Sequence, residues 1–462
     1  MTSAVTPGKV HRSKGEHEVQ HGPDKPVRRR SLVALALMLV AMMSVVAACG
    51  DDSSDSAGGG GGSDTTAKSK GDVAPAGSAE NPFGASLANG TYGENYNPPK
   101  EVIDQSINGP DALPSDPMQK DIVLAGMARV PAQVDQDKAM ECWKKNTCET
   151  GSGGKLTVGL ADGFGGNVAR QIFKMEFILQ ALTYKDIGKI VYTDANLDTQ
   201  KAISDMRSMI AQGVNVIVSY PDAGKALLPV YRQATQRKVP VALWSNANIG
   251  EPGTDYLTYS GQDICSLGKS YAEIMNKQLP DGGQIAFLGG TPGNTQSPAW
   301  QKCEKEGLNP NIKVVATADT NWTRQGALQA MSEILSKYPD LKGFSYDYGD
   351  ATVGAMRAFK AANKPLDVVA TIQSDDNPLL CAWKKENNPN FKVWVQSALF
   401  TQGRTALTAS MMKQEGAPIP AEIIFKPSLR QVDDSSCSST IPANGSPSST
   451  VPADLQQKMF GK

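Results

Sequence analysis

The sequence predicts an α/β fold of two Rossmann-like lobes, each a parallel sheet with helices on both faces. Three observations point to it. From Lys155 onward, nine short β-branched runs alternate with segments of helical periodicity. A helix–turn–strand pattern occurs twice, over Ser204–Tyr220 and again over Gln329–Tyr348. The strand runs are continuously apolar rather than alternating, as expected of strands covered on both sides.

The N-terminus reads as an export signal. Arg28, Arg29 and Arg30 precede an apolar stretch from Leu32 to Ala48, which turns polar at Gly50-Asp51-Asp52. A basic start, an apolar centre and small residues before a cut describe a secretory signal, here residues 1–48. Val46-Ala47-Ala48-Cys49 resembles the lipobox of bacterial lipoproteins, which implies a lipid on Cys49 and anchorage to the membrane. An uncleaved membrane helix is the alternative, although the seventeen residues 32–48 are short for a span. The polar run before Val27 leaves a later start open. Residues 49–80, with glycines 58–62 among Ser and Asp, read as a flexible tether.

Residues 81–154 form an N-terminal extension with a helix expected at Val134–Lys145. The first lobe spans 155–258, with strands at Lys155–Leu160, Lys189–Thr193, Val214–Val218 and Val241–Trp244. The second spans 259–396, with strands at Gln284–Leu288, Lys313–Thr317, Gly343–Tyr346, Val368–Ile372 and Phe391–Gln396. Between strands, Ala202, Ile203, Met206, Met209 and Ile210 recur at helical spacing over Lys201–Gln212, and Gly213 follows as a helix stop. Residues 397–432 are expected to return to the first lobe, leaving 433–462 as a C-terminal tail.

Composition removes several functions. Hydrophobic residues make up 40% and charged residues 20%, an ordinary globular balance, and a net charge of −1 gives no basic footprint for nucleic acid. The three histidines are His11, His17 and His21, so none follows the signal. Ser-His-Asp and Cys-His catalysis and imidazole zinc sites are excluded with them. No P-loop is present, and Gly163-Phe164-Gly165-Gly166-Asn167-Val168 fails as a dinucleotide loop at its sixth position. Ser266-Leu267-Gly268-Lys269 lacks the companion motifs of an acylating serine. No cofactor or metal is expected. Beyond Cys49, six cysteines remain, which allow fifteen pairings. Proximity favours Cys142–Cys148, and Cys265–Cys303 with Cys381–Cys437 is the simplest pairing of the rest.

In open parallel sheets, ligands bind beyond the carboxyl ends of the strands. Here those positions are Asp162 to Asn167, Asp194, Asp222, and Trp244 with Asn246 in the first lobe. In the second they are Thr291 to Trp300, Asn321 and Trp322, Asp347 and Tyr348, and Gln373 to Asn377. Aromatic, amide and carboxylate groups dominate, and Arg170 and Arg324 are the nearest cations. That mixture suits a neutral polyhydroxy ligand, because rings cover the C–H faces of a sugar while Asp, Asn and Gln pair with its hydroxyls. Each also has a packing role open to it: the tryptophans as core, Asp194 and Asp222 as helix caps.

The stretches MRSMIAQGVNVIVSYP (206–221), VPVALW (239–244), QIAFLGG (284–290), ADTNWTR (318–324) and ATVGAMRAFKAANK (351–364) are similar, in order and spacing, to solute-binding proteins of ABC sugar importers, the ribose- and galactose-binding type. The resemblance implies the type I periplasmic binding protein architecture, two hinged lobes closing on a sugar or polyol in the cleft between them, and delivery to an ABC permease. By position it puts ligand contacts at Phe164, Asp222, Asn246, Trp300, Trp322, Tyr348, Asp375 and the hinge near Gln396 or Ser397; Trp244 joins them as a strand-end residue. Three positions depart from the family pattern: Ser245-Asn246 replaces an Asp-Arg pair, Trp300 an arginine and Tyr348 an asparagine. The chain is expected to be a monomer, not an enzyme. A sensor presenting its ligand to a membrane kinase and a lipid-anchored carbohydrate-active enzyme are the alternatives.

Overall fold

The computed structural model describes residues 98–129, 134–244 and 249–461. The chain begins with α1 (Lys100–Ile107), α2 (Pro117–Ala128), α3 (Gln136–Trp143) and β1 (Thr147–Glu149). There follow β2 (Leu156–Asp162), α4 (Val168–Leu182), β3 (Ile187–Asp194), α5 (Thr199–Ala211), β4 (Val216–Ser219), α6 (Leu228–Gln236), β5 (Val241–Trp244) and β6 (Thr258–Gln262). The next run is α7 (Ile264–Gln278), β7 (Gly283–Gly289), α8 (Gln296–Gly307), β8 (Ile312–Asp319), α9 (Arg324–Lys337), β9 (Leu341–Tyr346), α10 (Gly349–Ala361), β10 (Val369–Ile372), α11 (Asn377–Glu386) and β11 (Lys392–Gln396). Last come α12 (Thr401–Gln414), β12 (Glu422–Phe425), β13 (Leu429–Gln431) and α13 (Ala453–Phe460).

Two sheets form, ordered β1-β3-β2-β4-β5-β6-β12 and β13-β11-β10-β9-β7-β8. The pairings are parallel except at two edges, where β1 runs antiparallel to β3 and β13 to β11. The two-lobed α/β class read from the sequence is therefore the observed one. Strands β4, β5 and β10, continuous apolar runs, are buried along their whole length, as central parallel strands should be. Helix α5 shows how local signals place an element. Asp198 caps it by accepting from the amides of Gln200 and Lys201, and Met206, Met209 and Ile210 bury one face. Gly213 stops it at φ +75°, a conformation that costs glycine little.

Each sheet separates two apolar cores. In the first lobe, α4 and α12 pack on one face and α5 and α6 on the other. In the second, α9 and α10 face one side, and α7 and α8 the other. Disulfides close Cys142–Cys148, Cys265–Cys303 and Cys381–Cys437, the pairs expected from spacing.

Three segments differ from expectation. The N-terminal extension is part of the first lobe: Ile107, Leu113, Ile122, Val123 and Met127 share a core with Met412, Ile423 and Phe425. Its presence explains α12, which has no polar stripe because α2 covers the side that would otherwise meet water. The buried hydroxyls of Thr405, Thr408 and Ser410 donate to carbonyls one turn back, at 2.8–2.9 Å. Residues 397–432 do not return wholly to the first lobe. They supply α12 and β12 there, and then β13 crosses to edge the second sheet. Residues 433–461 are packed rather than a loose tail. Cys437 is bonded to α11, and Val451 and Leu455 enter the core beside α4. Helix α1 lies against these crossings: Ser397 Oγ donates to the Ser106 carbonyl, Asn108 Nδ2 to Ser428 O at 3.0 Å, and Gln105 Nε2 to Ser449 O at 2.6 Å.

The expected lipid site, Cys49, lies outside the described residues. Among those described, no helix is long and apolar enough to cross a membrane.

Candidate functional site

The carboxyl ends of both sheets border one cleft, with about 580 Å³ of empty space partly open to solvent. The first lobe lines it with Asn167, Ala169, Arg170 and Phe173, from the start of α4, and with Tyr220 beyond β4. The second lobe lines it with Gln296, Trp322, Asp347, Tyr348, Gln373 and Ser374, and Ala398 closes the hinge side.

The first-lobe wall is organised around Arg170. Asn167 caps α4 by accepting from the Arg170 amide at 2.9 Å, which sets the helix start and turns the guanidinium toward the sheet end. Arg170 pairs with Asp162 at the end of β2, and its Nη2 donates to both Asp222 oxygens at 2.9 Å. The guanidinium also lies over the Tyr220 ring, 3.3 Å from its centroid. Burial pushes the Asp222 carboxyl up to about 6 and raises Asp162 too, with Arg170 opposing both. One cation is thus shared by two buried carboxylates.

The second-lobe wall centres on Asp347, beyond β9. Its Oδ2 accepts from Ser297 Oγ at 2.5 Å and Trp300 Nε1 at 3.2 Å, and its Oδ1 from Trp322 Nε1 at 2.8 Å. Burial raises its carboxyl above the ordinary range, and these three hydrogen bonds work the other way. Asn321 and Trp322 are both left-handed, at φ +54° and +50°. Each such non-glycine residue costs on the order of 1–3 kcal/mol and persists only where its surroundings over-determine it. Gly290 makes room for the indole: a Cβ there would stand 2.0 Å from Trp322 Cε2.

A chain of amides runs from cleft to hinge. Gln296 Nε2 donates to Gln373 Oε1 at 2.7 Å, and Gln373 Nε2 to Gln262 Oε1 at 3.4 Å. Gln262 and Gln396 then exchange bonds of 2.7 and 2.9 Å where the chain crosses between the lobes.

The expected contacts divide accordingly. Trp322 and Tyr348 line the cleft. Asp222 and Gln396 do not line it: Asp222 pairs with Arg170, and Gln396 with Gln262, which also accepts from Gln373. Three others are displaced from it. Trp300 is 0% exposed, packed edge-on against Tyr271 and Phe287, and supports Asp347 from behind. Trp244 is 1% exposed, beneath Phe173 and Tyr220 at ring distances of 4.1 and 4.7 Å. Asp375 turns toward the C-terminal segment, accepting from Ser448 Oγ at 2.7 Å and pairing with Arg430. Phe164 is not among the lining residues; its amide donates to Asp162 Oδ1 at 3.1 Å, beside Arg170. Asn246 lies outside the described residues. Phe173, which the strand-end rule misses, lies three residues beyond Arg170 on the same side of α4, so helical spacing would have found it.

Among the described residues, no group of three or more His, Cys, Asp or Glu side chains is arranged to hold a metal ion. Two sheets with their strand ends converging on one polar, ring-lined cleft define a two-lobed ligand-binding protein. The family model described as a periplasmic binding protein domain matches residues 166–417, more than half of the chain. A xylitol-binding protein of Mycolicibacterium smegmatis is 28% identical over 179 residues, 38% of this chain and 50% of its own length. A ribose import binding protein of Bacillus subtilis is 24% identical over 181 residues, 39% of this chain and 58% of its own. The chain thus spans between half and two thirds of these curated relatives. A solved myo-inositol binding protein of Caulobacter, bound to myo-inositol, superposes at a TM-score of 0.53 and 22% identity, over 60% of this chain and 94% of that one. The chain belongs to the periplasmic binding protein family, and its architecture is the type I form of that fold.

Proposed function

We propose that this chain is an extracytoplasmic receptor that captures a sugar or related polyhydroxy molecule, closes its lobes over it and delivers it to an ABC permease. The observation that supports this most is the cleft lining. Trp322, Tyr220 and Tyr348 offer ring surfaces for the C–H face of a sugar, and Asp347, Asn167, Gln296 and Gln373 offer partners for its hydroxyls. The relatives named for xylitol and ribose and the neighbour holding myo-inositol fit the same reading. Residues 1–48 are then the export signal, Cys49 carries the lipid, and 49–80 tether a monomeric receptor to the outer face of the membrane. The ligand acts by preferring the closed state, and the permease reads that state.

A thermal-shift screen of the purified chain against sugars, polyols, nucleosides and amino acids tests the cargo. Binding to the native state alone adds about 2.7 kcal/mol at roughly a hundredfold excess over Kd. A sugar or polyol that raises Tm and is recovered unchanged supports the proposal. Stabilisation by amino acids or nucleosides alone, or turnover of a bound glycoside, overturns it.

A further inference from the structure

The groups that face the cleft are unequally supplied with donors. Asp347 is 6% exposed, and among the described residues every donor to it is neutral: one hydroxyl and two indole N–H groups. Gln296, also 6% exposed, has an Oε1 with no hydrogen-bond partner among the described residues. Its Nε2 is committed to Gln373, whose own Nε2 is committed to Gln262, so the unpartnered end of this amide chain is a carbonyl, on a residue that lines the cleft. Ser297, next to Gln296, donates to Asp347, and Trp322 donates to the same carboxylate, so the three cleft residues form one continuous patch. Arg170, the one cation lining the cleft among the described residues, is shared between Asp162 and Asp222.

We propose that the cargo carries a protonated amine beside its hydroxyls, as in an amino sugar, aminoalditol or aminocyclitol, and that its ammonium is received by Asp347, Gln296 and Trp322. This rests on the polyhydroxy reading above and narrows it. An ammonium brings three donors and no acceptor, and the patch has acceptor capacity left at Asp347 Oδ1, which takes one donor against two at Oδ2, and at the open carbonyl of Gln296. A hydroxyl brings one donor, together with lone pairs for which this patch has no further donor. The charge makes the carboxylate contact a strong one, and the indole attracts a cation through its ring face. An anionic ligand would meet three buried carboxylates and one already shared guanidinium, so acid sugars and sugar phosphates are rejected.

The test compares matched pairs that differ only in amine against hydroxyl: D-glucosamine with D-glucose, 1-amino-1-deoxysorbitol with sorbitol, and an aminocyclitol with myo-inositol. Calorimetry on the purified wild-type chain at pH 7 is expected to show the amine of at least one pair binding tenfold or more tighter than its twin. Asp347→Asn should erase that preference, while the wild-type comparison stands even if the variant fails to fold. If the neutral members bind as well as or better than the amines, the ammonium site is wrong and the polyhydroxy reading survives. If no member of any pair binds, both fall.

Discussion

Two tryptophans that look alike in the sequence should behave in opposite ways when truncated. Trp322 lines the cleft, whereas Trp300 is sealed inside the second lobe between Tyr271 and Phe287. Trp322→Ala removes a ring from the ligand surface and one of three donors to Asp347. Truncating an aromatic anchor in a desolvated pocket weakens binding by on the order of 1–3 kcal/mol, or about 5- to 150-fold in Kd. Alanine keeps the Cβ, so the left-handed strain at position 322 remains; because the ring borders the cleft on one side, unfolding stability should fall by less than for a ring sealed in the core. Trp300→Ala leaves a cavity in the core, and such substitutions cost about 3–5 kcal/mol. Its main effect should appear as a lower Tm, with a smaller loss of affinity through Asp347. Calorimetry against the ligand from the thermal-shift screen, paired with chemical denaturation of both variants, reads the two quantities separately. A Trp300 variant that loses affinity at unchanged stability, beside a Trp322 variant that loses neither, would refute this placement of the cleft.

Gly290→Ala should reproduce the binding loss of Trp322→Ala while keeping the indole but displacing it, because its Cβ would collide with the Trp322 ring; a folded variant with unaltered Trp fluorescence and unaltered affinity would contradict this. Glu304 is fully buried, accepts from Ser345 Oγ at 2.6 Å, and is held well above the usual carboxylate range by burial. The folded state therefore keeps its proton longer than the unfolded state does, so its contribution is complete below the ordinary carboxyl pKa and is lost as pH rises toward its folded value. Glu304→Gln should flatten that decline in denaturation curves taken above the ordinary carboxyl range, and an unchanged slope would count against it. Glu176→Ala strands the buried Arg404, which pairs with it at 3.0 Å, and should cost about 3–5 kcal/mol. Replacing both residues with apolar ones of similar volume should recover much of that loss, as urea midpoints would show.

Much of the fold was legible because its central strands announce themselves. Runs such as VIVS in β4 and VATI in β10 are apolar at nearly every position, which only a sheet covered on both faces tolerates. β6, Thr258–Gln262, was not legible. It is buried yet mostly polar, and the Thr258 hydroxyl finds its carbonyl partners at Pro420 and Ala421, 162 and 163 positions away. β1 and β13 are three-residue edge strands whose partners lie far along the chain. The site divides in the same way. The strand-end rule finds Asp347, Tyr348 and Gln373 because topology alone puts them there. It cannot separate Gln296 from Trp300, four residues apart on one helix, since the first reaches the cleft and the second stops one turn deeper. Nor does it foresee that Asp375 is drawn aside by Arg430 and by Ser448, the latter from a segment that reads as a tail.

Glu176 also bears on the order in which the molecule can be made. Its carboxylate accepts from Arg404, from Ser449 Oγ at 2.7 Å, and from the Thr450 amide at 2.6 Å, partners 228 to 274 residues further along. Arg404 in turn donates to the carbonyl of Gly126 at 3.3 Å and to that of Arg129. The interior of the first lobe therefore stays open until nearly the last residues emerge, although its first strands appear early. The second lobe is contiguous from Ile264 to Gln396, apart from one edge strand, and has all its central strands in hand well before then. In chain order, the lobe begun first is the lobe completed last, because its interior takes partners from residues beyond the whole of the second lobe's central sheet.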